Sequence, residues 1–211
     1  MNEVDKIERD GFTITSYYDE DAQNPREDSD CHVGVMVLDH GRYDLPNEDD
    51  DAKRALDWFM SRKSGLSLFS RWARIFKGAT IVLPVWGYDH SGLAMRAGDR
   101  VGQFADQWDS GLLGVIYDDA TNVVDWTAEQ IEAALRGEVE EYDMFGRGEV
   151  YGYIVTDRNG DEVDSCWGYV GSEYFETVIK EILENLPAQP ERIYDMRLSA
   201  RQLEIFGASN G

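Results

Sequence analysis

The sequence has few cysteines and histidines, no long apolar run and a shortage of basic residues. Its two cysteines, Cys31 and Cys166, are too far apart to form a disulfide framework, so we expect free thiols in a reducing compartment. No stretch approaches the roughly 18 apolar residues of a membrane span. The opening residues, MNEVDKIERDG, are too charged for a signal peptide. We therefore expect a cytoplasmic protein with no membrane partner.

The motifs of common cofactor and metal sites are also missing. There is no P-loop, no GxGxxG after a strand, no HExxH and no GxSxG. Cys31, His32 and His40 could suggest zinc, but the close ligand pairs typical of zinc sites are lacking. The acidic run NEDDD at 47–51 lacks the ligand spacing and central glycine of an EF-hand loop. We predict neither a metal nor a cofactor.

What the chain has in excess is negative charge, at −22 from 42 acidic and 20 basic residues. Residues 1–51 hold 16 acidic and 4 basic side chains, and residues 101–211 hold 23 and 7, whereas residues 52–100 hold 3 and 9. Because phosphate affinity needs positive charge, we do not expect direct nucleic-acid binding. An acidic surface favours a basic partner protein, although it also suits solubility alone.

The basic segment 52–78 has two interpretations. It could touch phosphate, with Trp58 and Trp72 nearby. It could instead pair with acidic residues elsewhere in the chain, which we favour because it is surrounded by a much larger negative charge.

Periodicity predicts an α+β fold, an antiparallel sheet with helices packed on one side. Strand patterns, with a hairpin whose turn is Asn159-Gly160, occupy 11–21, 31–40, 79–92, 111–119 and 149–170. Pro84 suggests a sheet edge or a bulge, and residues 93–102 could either continue that strand or form a short ribbon. Helical patterns occupy a segment opened by Asp49–Asp51, then 66–78, 126–146 and 172–186, with a last turn after Ser199. Thr127 and Gln130 have capping-box spacing.

The chain length favours one domain over 1–211, with the helical segment 50–78 as a candidate subdomain insertion. The pattern assigns neither a strand order nor an oligomeric state.

Three segments of similar style, YDHSG, QWDSG and DSCWG, each end a strand or form a turn. If their strands are neighbours, these residues converge on one rim of the sheet: Asp89, His90, Asp109, Asp164 and Cys166. A carboxylate pair with a histidine or cysteine is typical of acid–base chemistry. The alternative is ordinary turn chemistry, in which the aspartate binds its own backbone.

Cys166 could be a nucleophile only if a neighbour lowered its pKa, and the nearby acids would raise it. We therefore predict that Cys166 is buried as a small apolar residue. Strand alternation would then turn Trp167 outward.

Taken together, YDED…NPRE, LPVWGYDHSG, WDSGLLGVIY, GEVEEYDMFGRGEVYGYIV and DSCWGYVG resemble a group of uncharacterised proteins carried by bacteriophages and mobile elements. The resemblance covers most of residues 17–171. It implies a bacterial cytoplasm during infection or element transfer, and it assigns no catalytic residue because the group has no established activity.

In that context the acidic surface suggests inhibition of a host nucleic-acid-binding or defence protein by DNA mimicry, which needs ordered rows of carboxylates. The helix at 128–145 could supply one row: Glu129, Glu132, Glu138, Glu140, Glu141 and Asp143. The helix at 172–186 could supply another: Glu173, Glu176, Glu181 and Glu184. The alternative for both helices is a solvated outer face.

Two further functions compete with a non-enzymatic inhibitor. One is a small hydrolase acting at the predicted rim on a nucleotide or signalling molecule. The other is a binding module for a sugar or base, with an aromatic platform made of Trp86, Tyr88, Trp108, Tyr151, Tyr153, Trp167 and Tyr169.

Overall fold

The computed structural model describes residues 2–27 and 32–186, which form two antiparallel four-stranded sheets and four helices. Sheet A has the order β1-β2-β7-β8, with strands β1 Glu3–Arg9, β2 Phe12–Tyr18, β7 Val150–Thr156 and β8 Glu162–Val170. Sheet B has the order β3-β6-β4-β5, with strands β3 Gly34–Leu38, β4 Val82–Asp89, β5 Leu93–Ala97 and β6 Ser110–Asp118. The helices are α1 Asp50–Met60, α2 Gly65–Phe76, α3 Ala128–Gly146 and α4 Ser172–Glu184. The predicted α+β class is confirmed.

Sheet B is covered on both faces. Alternation along β6 places Ile116 in the core that α3 covers, while Val115 and Tyr117 belong to the core under α1 and α2. The prediction of helices on one side was wrong for this sheet. Its sequence signal was the continuous apolar run in β6, which is typical of a strand buried on both faces.

Sheet A packs its β2 and β7 side chains against α4, where Ile14 and Tyr153 meet Phe175 and Ile179. Its first strand, β1, was not predicted from sequence. That strand is charged and exposed along almost its whole length, so it has no apolar alternation. Pairing with β2 alone makes it a strand.

Most predictions made from local sequence patterns were confirmed. Asp49 caps α1, and Thr127 and Gln130 form the expected capping box at α3. Pro84 lies in an interior strand, so the edge interpretation was wrong, but β4 has a bulge at the next residue pair, Val85/Trp86. The predicted turn after Ser199 lies outside the described residues. No helix in the described ranges is long and apolar enough to cross a membrane.

Candidate functional site

The ends of β4 and β6 bring two of the three similar motifs together. The backbone amide of Asp89 donates to the carbonyl of Asp109 at 2.8 Å, so YDHSG and WDSG are adjacent. The Nδ1 atom of His90 lies 2.9 Å from Oδ2 of Asp109. The predicted convergence is therefore present for the side chains of His90 and Asp109, while Asp89 joins them through its backbone amide; we call these three residues the rim cluster.

The Asp89 carboxylate is enclosed by groups that sequence reasoning did not connect to it. Arg42 forms an ion pair with it, the Tyr43 hydroxyl donates at 3.3 Å, and His40 Nε2 lies 3.6 Å away. All three come from the turn-rich stretch after β3. Their signal was a cluster of basic and aromatic residues in a segment otherwise rich in acids, next to a strand end.

Turn chemistry accounts for much of the WDSG segment. The Asp106 carboxylate accepts from the amides of Asp109 at 2.8 Å and Trp108 at 2.7 Å. These two backbone bonds hold the pKa of Asp106 below its usual value, because they favour its charged form. Ser110 Oγ lies 2.9 Å from the carbonyl of Phe104. The turn is thus built by its own backbone.

The rim cluster lacks two parts of a hydrolytic site. His90 and Asp109 are open to solvent, with side-chain exposures of 67% and 41%, and neither lines the two cavities beside β5 and α3 or between β8 and α4. No hydroxyl or thiol of a described residue forms a hydrogen bond with the His90 ring. Among the described residues the pair can therefore hydrogen-bond a polar ligand, but it holds no hydroxyl or thiol in a hydrogen bond as a base holds its nucleophile.

The third motif lies elsewhere. Asp164 and Cys166 belong to β8 in sheet A, so the prediction that they join the same rim was wrong. The DSCWG motif also lies inside β8 (Glu162–Val170) and ends no strand, so the prediction of a strand end or turn there was wrong as well. Asp164 accepts from the Tyr153 hydroxyl at 2.9 Å; burial and this bond together raise the pKa of Tyr153 to about 12.

Cys166 is exposed, so its predicted burial was also wrong. The reason is position, because β8 is an edge strand of sheet A. Trp167 is also exposed, at 37%, although it stacks on Tyr17 at 6.0 Å between ring centroids and lies over Gly152, where a Cβ atom would meet its ring at 2.1 Å.

The aromatic platform is not a single surface. Trp86, Tyr88 and Trp108 belong to sheet B and its loops, whereas the other four residues belong to sheet A. Tyr151 and Tyr153 are buried in the core beneath α4. The aromatic residues of sheet A thus serve mainly as core and cross-strand pairs.

Helix α3 keeps only part of its predicted acidic row. Glu138 accepts from Arg26 at 2.8 Å and from the amide of Val33 at 2.7 Å, and its side chain is 11% exposed. Asp143 is buried and accepts from the amide of Met95 at 2.6 Å; burial raises the pKa of its carboxyl. Both acids stabilise the fold, so the prediction that they bind a partner was wrong.

The other acids of α3 are closer to solvent. Glu132 pairs with Arg136 at 2.6 Å, which partly neutralises it. Glu129 and Glu140 are exposed, and Glu141 is half-buried. Backbone and Thr127 hydrogen bonds at the helix start hold the pKa of Glu129 below its usual value. This helix presents isolated carboxylates rather than a row.

Helix α4 presents the row that the sequence predicted. Its inner side buries Phe175 and Ile179, and its four acids are all exposed: Glu173, Glu176, Glu181 and Glu184. The Glu176–Lys180 contact at 3.8 Å is the one ion pair that these four make with the rest of the described chain. At a rise of about 1.5 Å per residue, the row extends roughly 16 Å along the helix.

The basic segment is only partly paired. Lys53 contacts Asp57 at 2.7 Å, and Lys77 pairs with Asp49. Lys63, Arg71 and Arg74 form no ion pair with the residues that the structure describes, so internal pairing accounts for part of this charge.

Comparison with models of protein families, with curated proteins and with solved structures gave no match. Within 2–27 and 32–186, no three His, Cys, Asp or Glu side chains are grouped so as to hold a metal ion. Cys31, considered as a ligand above, lies outside these ranges.

Proposed function

We propose that this chain is a non-enzymatic interaction protein that binds a basic surface of a host nucleic-acid-binding or defence protein and blocks it. The observation that supports this proposal is the exposed acidic row of α4, defined as Glu173, Glu176, Glu181 and Glu184. The helix is anchored by its apolar side, so the row is held in place before a partner arrives. Preorganised groups lose little conformational entropy on binding.

Charge spacing makes DNA mimicry the physical form of the proposal. Successive phosphates of one DNA strand are about 3.4 Å apart along the axis. Acids three residues apart on a helix, such as Glu173 and Glu176, are about 4.5 Å apart along theirs. A groove lined with arginine and lysine can accept either array. The net charge of −22 would steer a basic partner towards the chain over about a Debye length.

The resemblance to proteins of bacteriophages and mobile elements supports a host target. Under this proposal the partner is a bacterial protein that handles nucleic acid, encountered in the bacterial cytoplasm.

The test is capture of partners from bacterial lysate by the tagged protein at low salt, with and without excess duplex DNA, followed by mass spectrometry. We expect a basic nuclease, polymerase or repressor that DNA displaces and that salt weakens. The triple variant Glu173→Gln, Glu176→Gln and Glu184→Gln should no longer capture this partner. A matched control changes three exposed acids of β1, Glu3→Gln, Asp5→Asn and Glu8→Gln, and should retain it.

Each outcome is informative. A partner that DNA does not displace, bound equally at high salt, would rule out mimicry and leave inhibition. Absence of any specific partner, or equal loss in the β1 control, would reject the acidic row as the binding surface.

A second function is favoured by one observation, the 2.9 Å contact between His90 and Asp109. It is a small hydrolase or nucleotide-binding protein acting at the rim cluster. A metabolite screen by thermal shift should then find a ligand whose effect disappears in His90→Gln and Asp109→Asn while the unliganded melting temperature is unchanged. Loss of folding in these variants would indicate a purely structural turn.

A further inference from the structure

Strand β8 forms an open edge of sheet A. It is the last strand in the order β1-β2-β7-β8, and its first seven residues are exposed. In the described part of the chain, β7 is the one strand that pairs with it. Apart from the Gly168 amide, which donates to Asp19 at 3.1 Å, no described residue outside β7 is seen to bond the backbone of this strand, so its outer side can pair with another extended segment.

A cavity of about 430 Å³ lies beside this edge, between β8 and α4. Most of its lining is apolar and is provided by Phe12, Tyr153, Val155, Val163, Val178, Ile182 and Leu186. Two carboxylates, Asp164 and Glu181, also line it. The cavity thus combines an apolar interior with negative charge.

The two carboxylates are placed to receive cations. The Tyr153 hydroxyl donates to Oδ2 of Asp164 at 2.9 Å, which orients that carboxylate. Glu181 lies on the exposed side of α4 and makes no ion pair with a described side chain. Neither charge is neutralised within the described structure, so a basic group would gain from both.

We propose that β8 and this cavity bind an extended, basic segment of the partner protein. The segment pairs with the outer edge of β8, places one bulky apolar side chain in the cavity, and directs an arginine or lysine two residues away at Asp164 and Glu181. Adding a strand to a sheet edge gives affinity through the backbone, while alternate side chains give specificity. This inference rests on the proposed function, because it specifies the chemistry of the same partner.

Charge selects this occupant over a second copy of the chain. A second copy would bring its own Glu162 and Asp164 to the edge, and two chains that each carry a net charge of −22 repel one another. Acidic residues on an edge strand oppose self-association in this way. A segment carrying arginine or lysine reverses the sign of the interaction.

The alternation of β8 supports the proposed register. Asp164 is opposite Val155 and Cys166 is opposite Tyr153, so these residues share the face that α4 covers. In an added strand, every second residue would point to that face. An apolar residue and a basic residue two positions apart would therefore reach the cavity and its carboxylates together.

The test uses a fluorescent peptide, Thr-Arg-Thr-Phe-Thr-Arg-Thr with blocked ends, and the full chain at low salt. Binding is measured by anisotropy, and protection of amides 162–170 by hydrogen exchange. The matched peptide with glutamate in place of both arginines should bind at least about tenfold more weakly. Two further peptides are N-methylated, one on the odd-numbered amides and the other on the even-numbered amides. Methylation of the amides that face β8 should abolish binding, and methylation of the amides that face solvent should be tolerated.

Variants locate the contact. The double variant Asp164→Asn and Glu181→Gln should weaken peptide binding about tenfold. The matched control Glu3→Gln and Asp5→Asn removes the same charge from the exposed strand β1, outside the cavity lining, and should change peptide binding by less than about threefold, because exposed charges act weakly through screened solvent. Equal effects of the two pairs, or tolerance of both methylated peptides, would overturn the proposal.

The experiments distinguish failure of the β8 binding proposal from failure of the proposed function. If lysate capture depends on the acidic row but the peptide does not protect 162–170, the inference is wrong and the inhibitor proposal stands. If no basic partner is captured, the proposed function fails whatever the peptide does. Protection of the outer β8 amides in the free chain would overturn the inference, and light scattering would show whether a second copy covers the edge.

Discussion

At the scale of single residues, Glu138 shows how an acid of a surface-like helical pattern can belong to the interior. It accepts from the Arg26 guanidinium and from the amides of Val33 and Gly34. Arg26, whose side chain is 4% exposed, also binds Glu48 at 2.6 Å. One buried cation is thus shared by two carboxylates from distant parts of the chain.

We predict that Glu138→Ala lowers the free energy of unfolding by about 3–5 kcal/mol, because it leaves Arg26 and two amides short of a partner in a buried position. The exposed control on the same helix, Glu140→Ala, should change it by less than about 0.5 kcal/mol. Urea unfolding at pH 7 measures both. Similar small losses in the two variants would contradict a structural role for Glu138.

At the scale of elements, Asp49 connects the start of α1 to two other elements. Its carboxylate caps α1 through the amides of Asp51 and Ala52, accepts from the Tyr117 hydroxyl of β6 at 2.6 Å, and pairs with Lys77 after α2. Burial alone would raise the pKa of Asp49, but Lys77, Tyr117 and the Ala52 amide outweigh it and hold the pKa below 3.8. One side chain therefore stabilises the packing of both helices on sheet B.

The sign of the pH effect follows from that lowered pKa. The native carboxyl binds its proton less tightly than the unfolded one, so its stabilisation is fully present above the unfolded pKa near 3.8 and is lost as pH falls through the lower native value. We predict that Asp49→Asn costs about 1 kcal/mol at neutral pH, since asparagine still caps but cannot pair with Lys77.

The difference between the Asp49→Asn variant and the parent should shrink as pH falls below 3.8. Urea unfolding at neutral and acidic pH measures it. Asp50→Asn, which changes an exposed acid of the same first turn, is the control and should show little pH-dependent difference. If the difference in the free energy of unfolding stayed constant with pH, the charge of Asp49 would contribute nothing to stability.

At the scale of the whole molecule, charge is segregated by region. Sheet A and α4 carry mostly acids on exposed strands and on the acidic row, whereas α2 has no acid and exposes Arg71 and Arg74. A net charge of −22 in one compact chain implies self-repulsion that added salt screens. The native state should therefore gain stability with ionic strength.

We predict that raising sodium chloride from low to near-molar concentration stabilises the chain by about 1 kcal/mol, equivalent to a rise of roughly 2–4 °C in melting temperature for this size. Thermal unfolding followed by circular dichroism measures it. A lower melting temperature in salt would show that native ion pairs such as Arg26–Glu48 outweigh the repulsion.

Local signals in the sequence were enough for most elements. Apolar periodicity, the capping residues Asp49 and Thr127, and the Asn159-Gly160 turn predicted the helices and the long hairpin, because these effects act over a few residues. The charged strand β1 escaped prediction because its only cause is its partner β2. The exposure of the α4 acids was predictable for the same local reason. The apolar residues of this helix lie on one side, so its acids fall on the side that faces solvent.

The sequence by itself determined the α+β class, the acidic character, most of the helices and the hairpin turn at Asn159-Gly160, whereas the meeting of YDHSG with WDSG depended on the β4–β6 pairing. The tertiary structure alone decided that the strands divide into two sheets, that Cys166 lies on an exposed edge, and that Glu138 is internal. The physical reason is the range of the interactions. Periodicity, caps and turns depend on near neighbours, whereas burial, ion pairing and strand order depend on residues that are distant in the chain and meet only after folding.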